Sequence, residues 1–249
     1  LSGLGATSGF ARIDRVAGAG RFYAYGVVND NGTSDGSFVP ALAAGALTGE
    51  TTLVIPAVVE AGSFTSEVIV TNTSSTAKRV RLEYVADAIS MADHTARLTL
   101  DLAPGHGLDL DRFVDALRTL GAPGVGPVGA IFSGALFVSV EGGDAEGLDG
   151  LDGLYVGART SSAALRGRYG VFTQATPLSR AATSIAWLHG LKQDAVDRTN
   201  VALVNAGSEA DVLRIEIFDG TTGLLAATVN DIRIEARGWK QLGRILAEK

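Results

Sequence analysis

The side chains best suited to binding chemistry in this chain lie in one acidic, glycine-rich stretch. The sequence EGGDAEGLDGLDG at 141–153 contains five carboxylates, Glu141 and the four candidate metal ligands Asp144, Glu146, Asp149 and Asp152. Carboxylate and carbonyl oxygens are the ligands that Ca²⁺ takes in proteins, so these residues form a candidate calcium site. Their spacing does not fit an EF-hand loop, and a solvated hairpin loop is the competing interpretation.

Residues with catalytic potential are few. The three histidines, His94, His106 and His189, are not within metal-ligand spacing of one another. The chain has no cysteine, which excludes thiolate catalysis, disulfides and cysteine-based zinc sites. No serine lies in a G-x-S-x-G motif, and no Walker lysine follows a glycine-rich loop. The sequence therefore predicts a protein that is not an enzyme, although two carboxylates brought together in space would escape this search.

Other polar residues have spacings that are typical of turns. The pair Asn31–Gly32 is a strong hairpin signal, so Asp30 and Asp35 are predicted to form the turn rather than to bind a ligand. Asn72 and Asn205 end two apolar runs of similar sequence. An asparagine in this position closes an Asx-turn, and we expect both to be structural.

The composition indicates a folded all-β protein. The chain has 249 residues, of which 46% are hydrophobic and 19% charged, and it contains 32 glycines. Such a chain buries a core, and frequent Val, Ile and Thr between short polar breaks favour strands joined by tight turns. The net charge of −6 argues against a nucleic-acid partner. Apolar stretches are too short or too rich in glycine for a membrane helix, so we expect no membrane insertion.

The strands that carry these residues are repeated along the chain. The stretches FTSEVIVTNTSSTAKRVRLEYV at 64–85 and DRTNVALVNAGSEADVLRIEIFD at 197–219 have the same order of apolar and polar residues. Aligned at an offset of 133, they share the identities Val68/Val201, Asn72/Asn205, Ser75/Ser208, Ala77/Ala210, Arg81/Arg214 and Glu83/Glu216. Flanking segments match with one-residue slips, including ARLTLDLAPG at 96 with VNDIRIEARG at 229. We name 51–120 and 183–249 the central and C-terminal front halves.

A second kind of segment is also repeated. RFYAYGVVNDNGTSDGSFVPA at 21–41 matches GLYVGARTSSAALRGRYGVFTQA at 153–175, and FARID at 10 resembles FVSVE at 137. We name 8–45 and 130–180 the N-terminal and central back halves. The order along the chain is back, front, back, front. Residues 51–180 therefore make one complete module, and the outer two halves complement each other.

The predicted fold is two β-sandwiches of immunoglobulin-like size that arose by internal duplication. One is continuous over 51–180, and the second is split between 1–50 and 181–249. Seven strands are expected in the complete module, with a short helix capped by Asp109 or Asp111. A half alone leaves an apolar face and open strand edges in water. The halves can close within one chain, between neighbouring copies, or along a longer array from which this chain is a slice.

The residues expected at the junction of the two outer halves are apolar. They are Phe22, Tyr23, Tyr25, Phe38 and Val39 in the N-terminal back half, and Val201, Leu203, Leu213 and Ile215 in the C-terminal front half. Closure between copies would make the partner a second molecule of this chain, arranged head to tail. A glycan is the alternative partner, but the sequence offers few aromatics for sugar stacking, since Trp187 is predicted to lie in an apolar strand.

The order IPAVV, RTNVALVN and GRYGVFTQA resembles repeated β-sandwich modules of large secreted or surface proteins from environmental bacteria. The resemblance covers most of the chain and implies architecture and location, because such modules have no assigned activity. The start LSGLG, without Met, fits either a cleaved signal peptide or a fragment. We therefore expect a secreted or cell-surface structural protein, such as a filament subunit, with a ligand-binding adhesion module as the alternative.

Overall fold

A computed structural model describes residues 8–87, 95–129, 131–142 and 150–247. Its elements are almost all strands, which confirms the predicted all-β class. The strands are β1 (Tyr25–Asn29), β2 (Gly36–Pro40), β3 (Leu53–Ala61), β4 (Phe64–Asn72), β5 (Lys78–Ala86), β6 (Thr95–Leu102), β7 (Gly107–Leu110), β8 (Phe132–Glu141), β9 (Leu154–Ala163), β10 (Arg168–Gln174), β11 (Thr176–Pro177), β12 (Val201–Val204), β13 (Asp211–Phe218), β14 (Leu225–Ile234) and β15 (Trp239–Leu242). The helix α1 spans Phe113–Thr119, and a 3₁₀ turn spans Leu178–Arg180.

The central module is a two-layer β-sandwich. One layer has the strand order β10-β9-β4-β7, and the other has the order β6-β5-β8-β3-β11. Strands β3 and β4 pair only at their hairpin end, where Glu60 lies opposite Thr65 and Ala61 opposite Phe64. Beyond that point the two strands separate into different layers. The central front half cannot form either layer by itself, because the back half supplies β8, which lies between β3 and β5, and β9, which lies beside β4.

Alternating apolar residues from both layers meet in one core. Val68 and Val70 of β4 are fully buried with Ile55 of β3 and Leu82 of β5. Period-two burial of this kind follows from side chains pointing to opposite faces of each strand. The helix α1 closes one end of the core, and its Phe113 ring packs edge-on against Tyr84 at 6.1 Å.

The predicted helix is confirmed, but the predicted caps are wrong. The residue before the helix is Arg112, which has a left-handed backbone (φ 49°) and makes no side-chain capping hydrogen bond. Asp109 lies in β7 instead, where it is opposite Ile69 of β4. The chain thus passes from an edge strand straight into the helix, and Leu120 follows the helix as an exposed residue.

The remaining strands form three separate two-stranded pairs. β1 pairs with β2, β12 with β15, and β13 with β14. Among the described residues, none of the strands of the N-terminal back half pairs with a strand of the C-terminal front half. The described helices are all too short or too polar to cross a membrane.

Candidate functional site

The two front halves have the same strand register, which supports the duplication. In the central front half, Val68 of β4 lies opposite Leu110 of β7, and Thr71 lies opposite Gly107. In the C-terminal front half, Val201 of β12 lies opposite Leu242 of β15, and Val204 opposite Trp239. The paired residues of β12 and β15 lie a nearly constant number of positions later in the chain than those of β4 and β7. β12 is therefore the counterpart of β4, and β15 is the counterpart of β7.

A buried asparagine makes the same hydrogen bonds in both front halves. Asn72 Nδ2 donates to the carbonyl oxygens of Thr76 (2.7 Å), Leu102 (3.1 Å) and Ala103 (3.3 Å). Asn205 Nδ2 donates to the equivalent carbonyls of residues 209, 234 and 235 at 2.6, 3.2 and 3.1 Å. The Oδ1 of each asparagine accepts the backbone N–H of the residue two positions later in the chain, which confirms the predicted Asx-turn. The cross-strand bonds go beyond that prediction and tie three segments together.

The strands β13 and β14 repeat the pairing of β5 and β6, with one correction to the alignment. Lys78 lies opposite Leu102 in the central pair, and Asp211 lies opposite Ile234 in the C-terminal pair. At this end the C-terminal strand is thus displaced by one residue from its predicted alignment. Beyond the irregularity beside Asp231, which has φ 54°, the displacement is two residues, because Leu98 lies opposite Leu82 and its counterpart Val229 lies opposite Ile215.

The two back halves share a hairpin of identical register. All five pairs of the β1–β2 hairpin, from Tyr25 opposite Pro40 to Asn29 opposite Gly36, have counterparts in β9 and β10. There, Gly157 lies opposite Gln174, and Ser161 lies opposite Gly170. β1 is therefore the counterpart of β9, and β2 is the counterpart of β10.

The counterpart of β3 does not form a strand in the C-terminal front half. Residues 183–191, which match 51–59, have no strand assignment. Trp187 is 66% exposed although its counterpart Ile55 is fully buried, so the prediction that Trp187 lies in an apolar strand is wrong. In the central module β8 holds β3 in place by pairing along its length. Within the described residues, no strand equivalent to β8 pairs with β13, so the segment 183–191 lacks the neighbour that β3 has.

Apolar side chains are exposed in the outer halves where their counterparts in the central module are buried. Leu213, Ile215 and Ile217 of β13 are only half-buried, whereas their counterparts Val80, Leu82 and Tyr84 are fully buried. Exposed aromatics are consequently more numerous than expected. They are Phe10, Phe22, Tyr23, Tyr25, Phe38, Phe64, Tyr169, Trp187 and Phe218. Most lie in the two outer halves, so incomplete packing accounts for them.

The residues predicted at the junction are mostly accessible. Phe22, Tyr23, Tyr25 and Phe38 are exposed, and Val39, Leu203, Leu213 and Ile215 are half-buried. Val201 alone of this set is buried, at 4% exposure. The structure places these residues in two separate groups, one on the β1–β2 hairpin and the segment just before it, and one on β12 and β13.

The N-terminal hairpin lies along β10 of the central module. Gly170 N–H donates to Asp35 Oδ2 at 2.7 Å, and Thr33 Oγ1 donates to the carbonyl of Arg168 at 2.7 Å. Asp30 Oδ1 accepts the N–H groups of residues 32 and 33, which confirms its role in the turn. A side chain at Gly167 would overlap the Asp30 carboxylate, so the two hairpin turns are in close contact. The edge of β10 is thereby covered, while the outer edge of β1 stays unpaired in the described structure.

The C-terminal front half is attached to the other layer by a small cluster centred on one tryptophan. Trp239 is buried with Phe137 and Val85, and its indole N–H donates to the carbonyl of Pro56 at 2.7 Å. The Arg237 guanidinium lies 3.8 Å from the centre of the Phe137 ring, and its Nε is 3.5 Å from Glu83. Sequence reasoning missed this contact, because the counterpart of Trp239 in the central module is a glycine.

The candidate calcium site is only partly within the described residues. Asp144, Glu146 and Asp149 lie outside them, and Asp152 is half-buried. In the part of the chain that the structure describes, no three potential metal ligands are grouped together. Ca²⁺ binding at 141–153 stays a prediction.

One pair of charged residues on the sheet resembles a reactive site more closely. Glu67 of β4 lies opposite Arg159 of β9, which is 7% exposed. Burial and the neighbouring Asp109 carboxylate raise the pKa of Glu67. Within the described residues, Arg159 Nε and Nη2 have no hydrogen-bond partner, and both atoms are shielded from solvent. Because a ligand could not reach these atoms, we interpret the pair as structural.

A shallow surface depression of about 430 Å³ is another place where a small molecule could lie. Three of its charged lining residues already contact one another, and Lys78 Nζ donates to the carbonyl of Gly150. Arg79 is 3.4 Å from Asp101 and 3.2 Å from Glu141. The depression therefore presents neutralised ion pairs rather than a recognition site.

Comparisons with known proteins do not identify a family. No protein-family model matches the chain, and no curated protein is similar to it. The crystal structure of Thermotoga maritima 1070 is similar over 51% of this chain and 94% of its own length, with a TM-score of 0.34 and 10% identity. A likeness at this level carries no argument about fold or function.

Proposed function

We propose that this chain is a structural assembly protein whose copies join by completing each other's β-sandwiches. The N-terminal back half of one copy supplies strands to the C-terminal front half of the next. Such contacts are heterologous, because each copy uses two different surfaces, and they lead to an open chain of subunits. The mechanism is strand addition, in which main-chain hydrogen bonds provide affinity and alternate side chains fill the core.

One observation carries this proposal: the strand pairs β1–β2, β12–β15 and β13–β14 of the outer halves repeat the pairs β9–β10, β4–β7 and β5–β6 of the central module. The central module thus demonstrates how a front half and a back half fit together. In it, β8 bridges β3 and β5 and buries Ile55, Leu82 and Val138. The C-terminal front half exposes the counterparts of β3 and β5, and FARID at 10–14 resembles FVSVE at 137–141, the second half of β8. Burial of apolar area at about 25 cal/mol per Å² favours this completion.

The proposal includes a secreted or cell-surface location, which is the location that the resemblance to secreted modules implies. Because the chain has no cysteine, assembly by strand pairing requires neither an oxidising compartment nor a metal. Binding of a glycan is the competing function. It is favoured by the exposed Tyr25 and Phe38, whose rings stack with centroids 5.1 Å apart. In the central module the counterpart of Phe38 is Phe172, which is half-buried and covers Gly157. This comparison favours packing, rather than sugar stacking, as the role of Phe38.

The first experiment is size-exclusion chromatography with light scattering, followed by negative-stain electron microscopy, over a range of protein concentrations. We expect the mean mass to rise with concentration from the 25.6 kDa of one chain and filaments to be seen. Deletion of residues 1–45 should leave monomers. Gly26→Asp is the full-length counterpart of this deletion. An added Cβ at Gly26 meets no atom within 4 Å in one chain, but the carboxylate would enter the completed core.

Compact monomers at every concentration would refute assembly between copies. They would point to completion within one chain or by neighbouring repeats of a longer polypeptide. Filaments that persist in both variants would show that another surface joins the subunits. Glycan binding that survives Gly26→Asp but is lost in Phe38→Ala would support the competing function.

A further inference from the structure

The open edges of two strands match each other in register, and we propose that β1 of one copy pairs antiparallel with β12 of the next. This inference rests on the proposed function and adds the strands and the register through which it acts. β1 pairs with β2 along one edge, and β12 pairs with β15 along one edge. Within the described ranges, the opposite edge of each strand has no partner.

The central module supplies the register. There, β9 pairs antiparallel with β4, with Val68 opposite Ala158 and Val70 opposite Val156. The counterparts already established replace β4 by β12 and β9 by β1. In the assembled pair, Val201 therefore lies opposite Gly26, and Leu203 lies opposite Ala24.

The side chains suit this register on both faces of the new strand pair. On the core face, the branched Val201 and Leu203 meet the small Gly26 and Ala24, as valines meet alanine and valine in the central module. On the outer face, Ala202 meets Tyr25. Its central counterpart is Ile69 opposite Gly157, so each pair combines one large and one small residue. A slip of one residue would place Tyr25 in the core, which strongly disfavours other registers.

The geometry has a further consequence for how the modules are connected. Because β2 lies along β10, the added strand β12 would continue the layer β10-β9-β4-β7 of the first copy. Because β1 and β12 lie on different surfaces of one chain, the contact uses β1 of one copy and β12 of the next. The free β12 edge of the first copy and the free β1 edge of the second stay unpaired at the two ends of the assembly. Each addition therefore recreates the surface that the next addition needs.

The absence of cysteine from the chain allows a direct test by cross-linking. In the double variant Tyr25→Cys/Ala202→Cys the two thiols lie opposite each other only in the proposed pair, with Cβ atoms about 5 Å apart. Oxidation should give a reducible ladder of multimers on a denaturing gel. The matched control Ala24→Cys/Ala202→Cys places the thiols on opposite faces and should cross-link at least about ten-fold less.

Each outcome separates this inference from the proposed function. Wild-type multimers with no ladder in the double variant, or a stronger ladder in the control, would overturn the register while leaving assembly intact. A disulfide within a single chain would overturn the pairing between copies. Failure of the wild type to multimerise would remove both proposals. If loss of the Tyr25 ring prevents folding, the pair Asn29→Cys/Arg198→Cys tests the same register at another outward-facing position.

Discussion

At the scale of single residues, the two buried asparagines matter most for the stability of the front halves. Each of them donates to three carbonyls and accepts one N–H, so it satisfies four backbone groups. An apolar replacement removes all of these bonds, including the one to the buried Leu102 carbonyl, whereas the Thr76 and Ala103 carbonyls keep a second donor. Each buried group that is left unsatisfied costs about 1–3 kcal/mol. The same arrangement at position 205 indicates that the outer front half relies on the same interaction as the complete module.

Replacement of Asn72 by alanine should therefore lower the free energy of unfolding of the central module by about 3 kcal/mol. Chemical denaturation followed by circular dichroism measures this loss. Asn230→Ala is the matched control, because Asn230 is exposed, and it should change stability by less than about 0.5 kcal/mol. Equal effects of the two substitutions would contradict a special role for Asn72.

Glu67 provides a second prediction at the residue scale. Burial and Asp109 raise its pKa in the folded protein, so folding favours the protonated form. A group of this kind contributes fully to stability below its unfolded pKa, and the contribution is lost as the pH rises through the higher folded pKa. Glu67→Gln is neutral throughout, and should be more stable than the wild type at pH 7 but not at pH 4. Thermal unfolding at both pH values tests this, with exposed Glu209→Gln expected to show no such difference.

At the scale of elements, the contrast between β3 and its unpaired counterpart shows what a partner strand contributes. The segment 183–191 has an apolar pattern similar to that of β3, yet it forms no strand and exposes Trp187. A strand needs hydrogen-bonding neighbours as well as suitable residues, because unpaired main-chain groups gain more from water. Completion of the sandwich should convert this segment into a strand and bury its tryptophan.

Tryptophan fluorescence should detect that burial. The variant Trp239→Phe keeps Trp187 as the single tryptophan of the chain and retains an apolar ring at position 239. We expect its emission to shift to shorter wavelength as the protein concentration rises, because Trp187 leaves water on assembly. The same variant carrying Gly26→Asp should keep the long-wavelength emission at every concentration. A shift that is equal in both proteins would disconnect the burial of Trp187 from β1.

At the scale of the whole molecule, the two surfaces of one copy should be separable by mutation. Gly26→Asp disables the N-terminal surface, and Leu203→Asp disables the C-terminal surface. Each variant alone should stay monomeric, whereas an equimolar mixture should form dimers of about 51 kDa and nothing larger, because only one contact remains possible. Light scattering distinguishes these masses. Larger assemblies in the mixture would contradict a head-to-tail arrangement.

The sequence predicted most of the strands well, because a strand is a local pattern of alternating residues. Val68 and Val201 lie at matching positions in strands that the structure confirms. The contacts between modules were not predictable, because Trp239 and Asp35 have no local signal that indicates Pro56 or Gly170 as partners. Similarly, the residue pattern of 183–191 indicates a strand, but it does not indicate that this strand needs a neighbouring strand such as β8 in order to form. The alternation of apolar and polar residues indicates which face of a strand is suited to burial, but it does not indicate which segment packs against that face.

The anchoring of Trp239 has a mechanical consequence. A buried indole that donates to the Pro56 carbonyl and packs on Phe137 fixes the angle between the C-terminal front half and the central module. If every copy in a filament has this same joint, each subunit is rotated from the last by one constant angle. The filament should then have a regular helical pitch and resist bending, as a stack of rigid units does. Weakening the contact at Trp239 should make the filament flexible.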